Sequence, residues 1–171
     1  MTMTSSPPER ASEQGAATVQ VAVQSEDFDL GEIYSALIAS SANPGAAVLF
    51  SGLVRELSGN SPTFQTLTLE HYPGMTERAL RDIAEQAAQQ WPLQSVRIVH
   101  RIGELQPRDQ IVVVGVASAH RQASFEAAEF IMDYLKVNAP FWKKQQVGED
   151  QFWVESRDSD QQAAARWKRP L

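Results

Sequence analysis

The stretch Ser118–Lys144, SAHRQASFEAAEFIMDYLKVNAPFWKK, organises the reading of the whole chain. Its first residues close an apolar run, its middle is helical, Pro140 breaks the helix, and a basic loop follows. Phe125, Ala128, Met132 and Leu135 recur at helical spacing, the pattern of a face packed on a core. Cations flank the helix: His120 and Arg121 before it, Lys136 in its last turn, Lys143 and Lys144 beyond it. A rigid apolar helix of this kind can hold charges in fixed places around an anion. An ordinary surface helix gives the same local pattern, because a cation in the last turn also complements the helix dipole. The rest of the chain has to discriminate.

Upstream, QIVVVGVAS (Gln110–Ser118) is almost wholly apolar, as expected for a central strand covered on both faces. SVRIVHRIG (Ser95–Gly103) is a second strand, joined to it by the turn signal ELQPRD; His100 shares a face with Val96, Ile98 and Ile102 and reads as a satisfied structural histidine. A helix from Met75 to Gln90 follows the Pro73-Gly74 turn, is expected to bury Met75, Ala79, Ile83 and Ala87, and stops at Pro92. Further strands are expected at Val19–Ser25, Ala46–Val54 and Gln65–Tyr72, with Asp27 or Asp29 capping a helix that runs to about Ala39. A short strand at Gln151–Glu155 precedes Arg157 and a polar, helix-compatible tail. Helices and strands interleave without a parallel βαβ rhythm, which predicts an α+β fold, a mixed and largely antiparallel sheet with packed helices. Residues 1–18 read as a disordered N-terminal tail and 19–171 as a single domain.

Composition narrows the function. The 171 residues carry a formal charge of -6, which argues against a general nucleic-acid binder. The absence of cysteine excludes a disulfide, a thiolate metal site, a cysteine nucleophile and a protein-bound persulfide. His71, His100 and His120 lack metal-ligand spacing, so neither a metal nor another cofactor is expected. No run approaches the ~18 apolar residues of a membrane span, and the N-terminus has no signal-peptide core, so a cytoplasmic protein is expected.

Four separated places end an apolar element with a basic residue: Arg55, His120-Arg121, Lys136 with Lys143 and Lys144, and Arg157. Their convergence would make a cation-lined pocket for a phosphate or other polyanion, arginine binding in bidentate fashion and lysine as a point charge. Glu70, His71 and Asp133 are acid/base candidates by residue type alone. A module that binds an anion without turning it over would carry the same constellation.

LEHYPGMTE (Leu69–Glu77), HRIGEL (His100–Leu105), SAHR (Ser118–Arg121), FIMDYLK (Phe130–Lys136) and APFWK (Ala139–Lys143) resemble the large, catalytic subunits of the molybdopterin synthase family, over about Val19 to Trp167. The resemblance implies an α/β hammerhead fold and a sulfurtransferase that converts cyclic pyranopterin monophosphate to molybdopterin by inserting two dithiolene sulfurs. It implies that the sulfur arrives as the C-terminal Gly-Gly thiocarboxylate of a small ubiquitin-like subunit, and that two large subunits dimerise within a heterotetramer. It carries catalytic roles onto Lys136 and Lys143, and substrate contacts onto those lysines, Lys144, Arg55, His120, Arg121 and Arg157. A chain without a thiol of its own suits this chemistry, since the sulfur must come on another carrier. Leu53 departs from the family, which often has lysine there.

Overall fold

A computed structural model describes residues 15–56, 65–154 and 158–168. The expected tail up to residue 14, residues 57–64, Glu155 at the end of the last expected strand, and Arg157 lie outside the described residues. The elements run β1 (Thr18–Gln24), α1 (Leu30–Ala39), β2 (Ala46–Leu53), β3 (Gln65–His71), α2 (Met75–Gln90), β4 (Leu93–Arg101), β5 (Gly103–Leu105), β6 (Gln110–Ser118), α3 (Arg121–Asn138), β7 (Phe141–Val147), β8 (Asp150–Val154) and α4 (Asp158–Ala165), with a 3-10 turn at Arg166–Lys168.

The strands form two four-stranded sheets, β1-β4-β6-β2 and β5-β3-β7-β8. Every pairing is antiparallel except β1 with β4. Strand β6 is central, between β4 and β2, and its side chains alternate between two cores. Val112, Val114 and Val116 join Val96, Ile98 and residues of α2 and α3 on one face. Val113 joins Val99, Phe28 and Ile33 on the other, where α1 lies. Burial on both faces is why this strand reads as continuously apolar. Asp29 caps α1, accepting from the Glu32 N–H. Gly74 takes φ +78, a backbone that suits glycine, and Glu77 reaches back to its N–H at 2.7 Å to open α2.

The buried helical faces differ from the expected ones. Helix α3 buries Ala123, Ser124, Ala127, Ala128, Phe130, Ile131 and Leu135, whereas Phe125 is 61% exposed. Small residues line the N-terminal part of this face, where a phenylalanine would hold the helix off β2 and β6. Helix α2 buries Thr76 and Leu80 rather than Met75 and Ala79, keeping Ile83 and Ala87. Thr76 is drawn inward by hydrogen bonds: its Oγ1 accepts from the Tyr72 N–H at 3.1 Å and donates to the Pro140 carbonyl at 3.3 Å. The expected basic loop after Pro140 is strand β7, paired to β3 from Gln65↔Val147 to His71↔Phe141. A local reading takes Pro140 and two lysines for a loop; pairing with the distant strand β3, from His71↔Phe141 to Gln65↔Val147, is what makes it a strand.

Candidate functional site

Three of the basic positions reach one end of the first sheet. Strand β2 ends at Leu53, opposite Gln110 at the start of β6. Beyond a register shift at Gly52/Leu53, Val54 is held by hydrogen bonds to Arg108 and Asp109, and Arg55 emerges exposed. Helix α3 leaves the other end of β6 and packs back over β6 and β2, delivering Lys136 in its last turn. Pro140 ends the helical run, and Phe141 then enters β7 and stacks its ring on His100 at 3.7 Å and 17°. His100 pairs with Val112, close to the start of β6, so this contact fixes the end of the sheet at which α3 finishes. Arg55, Lys136 and Lys143 therefore belong to the junction between the two sheets.

Strand alternation separates the neighbouring lysines. Lys143 shares a face with Phe141, Leu69 and His71, while Lys144 projects from the opposite face, its Nζ 5.9 Å from the centre of the Trp153 ring. His120 and Arg121 are exposed at the N-terminal end of α3. Fifteen residues of helix place Arg121 about 22 Å along the axis from Lys136. One chain does not bring that pair to its own lysines. Leu53, 53% exposed at the end of β2, sets an apolar side chain near Arg55.

The carboxylates sort by geometry. Asp133 accepts from Arg166 at 2.7 Å and from Trp167 Nε1 at 2.8 Å, and Glu129 also pairs with Arg166, at 2.6 Å; these bonds tie the C-terminal turn to α3. Glu126 accepts from Trp91 Nε1 at 2.8 Å, and its hydrogen bonds from Gln122 and Trp91 hold its carboxyl below the usual range. The contact that local sequence did not reveal is Asp160 of α4, whose Oδ1 lies 3.6 Å from Lys136 Nζ. Nothing in the polar tail marks Asp160 apart from Asp158; the docking of α4 on α3 selects it.

His100 is 4% exposed, and its Nδ1 lies 2.8 Å from the Arg101 carbonyl. Burial lowers its pKa to about 4, opposed by that hydrogen bond and reinforced by the neighbouring Lys143 and His71. His71 in turn lies 3.8 Å from Glu77. Among the described residues no group of three or more histidine and carboxylate side chains is arranged to hold a metal ion, and no helix is long and apolar enough to cross a membrane.

Fold and site together define a class: an α+β chain without a thiol, whose two sheets meet at a cation-bearing junction suited to anionic ligands. Comparison with known proteins narrows it. The family profile described as MoaE protein matches residues 23–138. The chain is 54% identical to the molybdopterin synthase catalytic subunit of Vibrio cholerae over 149 residues, covering 87% of this chain and 98% of that one. It is 53% identical to the protein of that name from Escherichia coli over 152 residues, covering 88% and 99%. A solved structure, the molybdopterin biosynthesis MoaE protein from Burkholderia ambifaria, superposes with a TM-score of 0.75 at 45% identity, covering 90% of this chain and 99% of that one. This chain belongs to the MoaE family.

Proposed function

We propose that this chain is the catalytic subunit of a molybdopterin synthase, a sulfurtransferase of molybdenum cofactor biosynthesis. It converts cyclic pyranopterin monophosphate to molybdopterin by inserting two dithiolene sulfurs. The carrying observation is that Lys136, Lys143 and Arg55 share one sheet junction, in a chain that matches catalytic subunits almost end to end. Those relatives do not favour a module that binds without turnover.

The roles follow from charge and position. The substrate phosphate and the incoming thiocarboxylate are both anions, so bringing them together requires cations already in place. At an effective dielectric constant of ~20, a cation roughly 4 Å from an anion contributes about 4 kcal/mol. Lys136 receives the partner's carboxy-terminus and serves as the covalent or acid/base group; Lys143 and Arg55 hold the pterin substrate. Asp160 occupies Lys136 until the thiocarboxylate displaces it. Lys144 stands outside this set, because it projects from the other face of β7.

His120 and Arg121 bind the same class of substrate from a second copy of the chain. The length of α3 keeps them from their own lysines, so in a homodimer they complete the partner subunit's site. Sulfur is supplied by a small ubiquitin-like subunit with a C-terminal Gly-Gly thiocarboxylate, which gives a heterotetramer. Two transfers per product require spent tails to leave, so tail binding is of modest affinity. Residues 19–171 act as one catalytic unit, in the cytoplasm.

A reconstituted assay tests this: the protein, a thiocarboxylated small subunit and cyclic pyranopterin monophosphate, with dithiolene product as the readout. Wild type should form product, and Lys136→Ala should lose ~100-fold or more in kcat, the scale of removing one group that stabilises charge in the transition state. Binding of the small subunit without any product from wild type would overturn the reading in favour of a binding module.

A further inference from the structure

The junction holds one buried titratable side chain that none of these steps uses. His100 lies near the end of β4, where the first sheet meets the second, and is 4% exposed. Its Nδ1 is 2.8 Å from the Arg101 carbonyl; a carbonyl only accepts, so Nδ1 carries the hydrogen and anchors the ring to the β4 backbone. The face of the same ring lies on Phe141 at 3.7 Å and 17°. Phe141 is the first residue of β7 and follows Pro140, whose carbonyl accepts from Thr76 at 3.3 Å.

The register carries this contact to the lysine. His71 pairs with Phe141 and Leu69 with Lys143, so these four side chains share a face. Lys143 stands two residues beyond Phe141 on that face, about 7 Å along the strand. Lys143 and His71 both act electrostatically on His100, so the three groups are neighbours. An aliphatic side chain could fill the volume of His100. It could not tie a flat surface both to the β4 backbone and to an aromatic ring, and that combination sets the plane in which Phe141 lies.

We propose that His100 is a positioning residue for Lys143: its ring, anchored to the Arg101 carbonyl and stacked on Phe141, fixes the start of β7 and with it the place where Lys143 presents its ammonium group. The kinetic consequence rests on the assignment of Lys143 to the synthase site; the geometric consequence does not.

Two substitutions separate the two contacts. His100→Phe keeps a ring for the stack and loses the Nδ1 donor, whereas His100→Asn keeps a donor near that position and loses the stack. In the reconstituted assay His100→Asn should lose ~10-fold or more in kcat, since small misplacements of a substrate-contacting group have large effects, and His100→Phe, which keeps the stack without the anchor, should show a smaller loss. In a Lys143→Ala background His100→Asn should change kcat by less than ~2-fold, because its effect passes through the missing lysine. A readout free of activity comes from reductive methylation with carbon-13 formaldehyde and NMR of the full chain, the Lys143 signal being assigned by its loss in Lys143→Arg. That signal should move in His100→Asn and move less in His100→Phe, while the Lys168 signal stays unchanged throughout. Should His100→Asn lose its cooperative melting transition, Phe141→Leu takes its place and should move the Lys143 signal in the same way. Equal kcat losses with and without Lys143, or a Lys143 signal indifferent to loss of the stack, would overturn the proposal. If wild type forms no product, the synthase reading falls while the NMR comparison still decides the positioning role.

Discussion

Gly45 is where a single methyl group should disturb both the fold and the far end of α3. Its N–H donates to the Ser118 carbonyl at 3.0 Å, closing the start of β2 against the end of β6. A Cβ at this position would collide with the Ala119 carbonyl oxygen and lie 3.2 Å from its carbon. The obstructing atoms are backbone, so no rotamer change relieves the contact; one strand end must move by about 1 Å to reach an ordinary van der Waals separation. That movement weakens the Gly45–Ser118 hydrogen bond and strains the turn into α3, and Gly45→Ala should cost about 2–3 kcal/mol. For a chain of this size each kcal/mol shifts the midpoint by roughly 2–4 °C, so calorimetry should show a fall of about 4–12 °C. Ala119 is followed by His120 and Arg121, so the surviving protein should also show a raised KM for the pterin monophosphate, at a temperature where it is still folded. Gly15→Ala is the control, because nothing lies within 4 Å of its added Cβ, and its melting point should not change. A Gly45→Ala protein melting within a degree of wild type would mean that this strand end gives way at no cost.

Three further outcomes are expected. Because Lys143 and Lys144 face opposite sides of β7, Lys143→Ala should lower turnover by ~10-fold or more and Lys144→Ala by less than ~3-fold, compared in the same assay. His100 binds its proton near pH 4 when folded against 6.5 in a model peptide, so between those values the unfolded chain holds more protons. This part of the stability is present above pH 6.5 and is lost as the pH falls through 4, by about 3 kcal/mol in all; denaturant unfolding at pH 7.5 and 4.5 should show the loss in wild type and a shallower dependence in His100→Phe. Trp167→Ala removes edge-on contacts to Trp91 and Phe130, both at 5.7 Å, and the bond to Asp133, and should cost about 2–3 kcal/mol. Amide exchange should then quicken in α4, since the turn that ties it to α3 is lost, whereas α1 should be unaffected.

Periodicity was a good guide where burial is two-sided or a stop signal is strong. The apolar run Gln110–Ser118 is the central strand, Asp29 opens its helix, and Pro140 ends a helical segment where expected. It was a poor guide to which arc of a helix is buried. The faces of α2 and α3 are each rotated from the expected stripes, because hydrogen bonds at Thr76 and close approach at Ala123 and Ala127 outweigh side-chain size. Strand β7 is the clearest case of tertiary context overriding a local pattern: its ladder to β3 turns a basic loop into a strand and sends adjacent lysines to opposite faces.

Residue type and local pattern were enough for the α+β class, the exclusion of thiol chemistry and the set of cations available, and the motifs carried the resemblance to a sulfur-transfer family. Only the tertiary structure decided how those cations divide. The return of α3 over β6 and β2 brings Lys136 to the end of the sheet near Arg55, the stack of Phe141 on His100 brings β7 and Lys143 there, and the docking of α4 sets Asp160 beside Lys136. The same helix holds His120 and Arg121 about 22 Å from Lys136. The reason is physical: an α-helix is a rigid rod and a strand a two-sided ribbon, so the distance and the face of a side chain depend on how the elements are laid against one another.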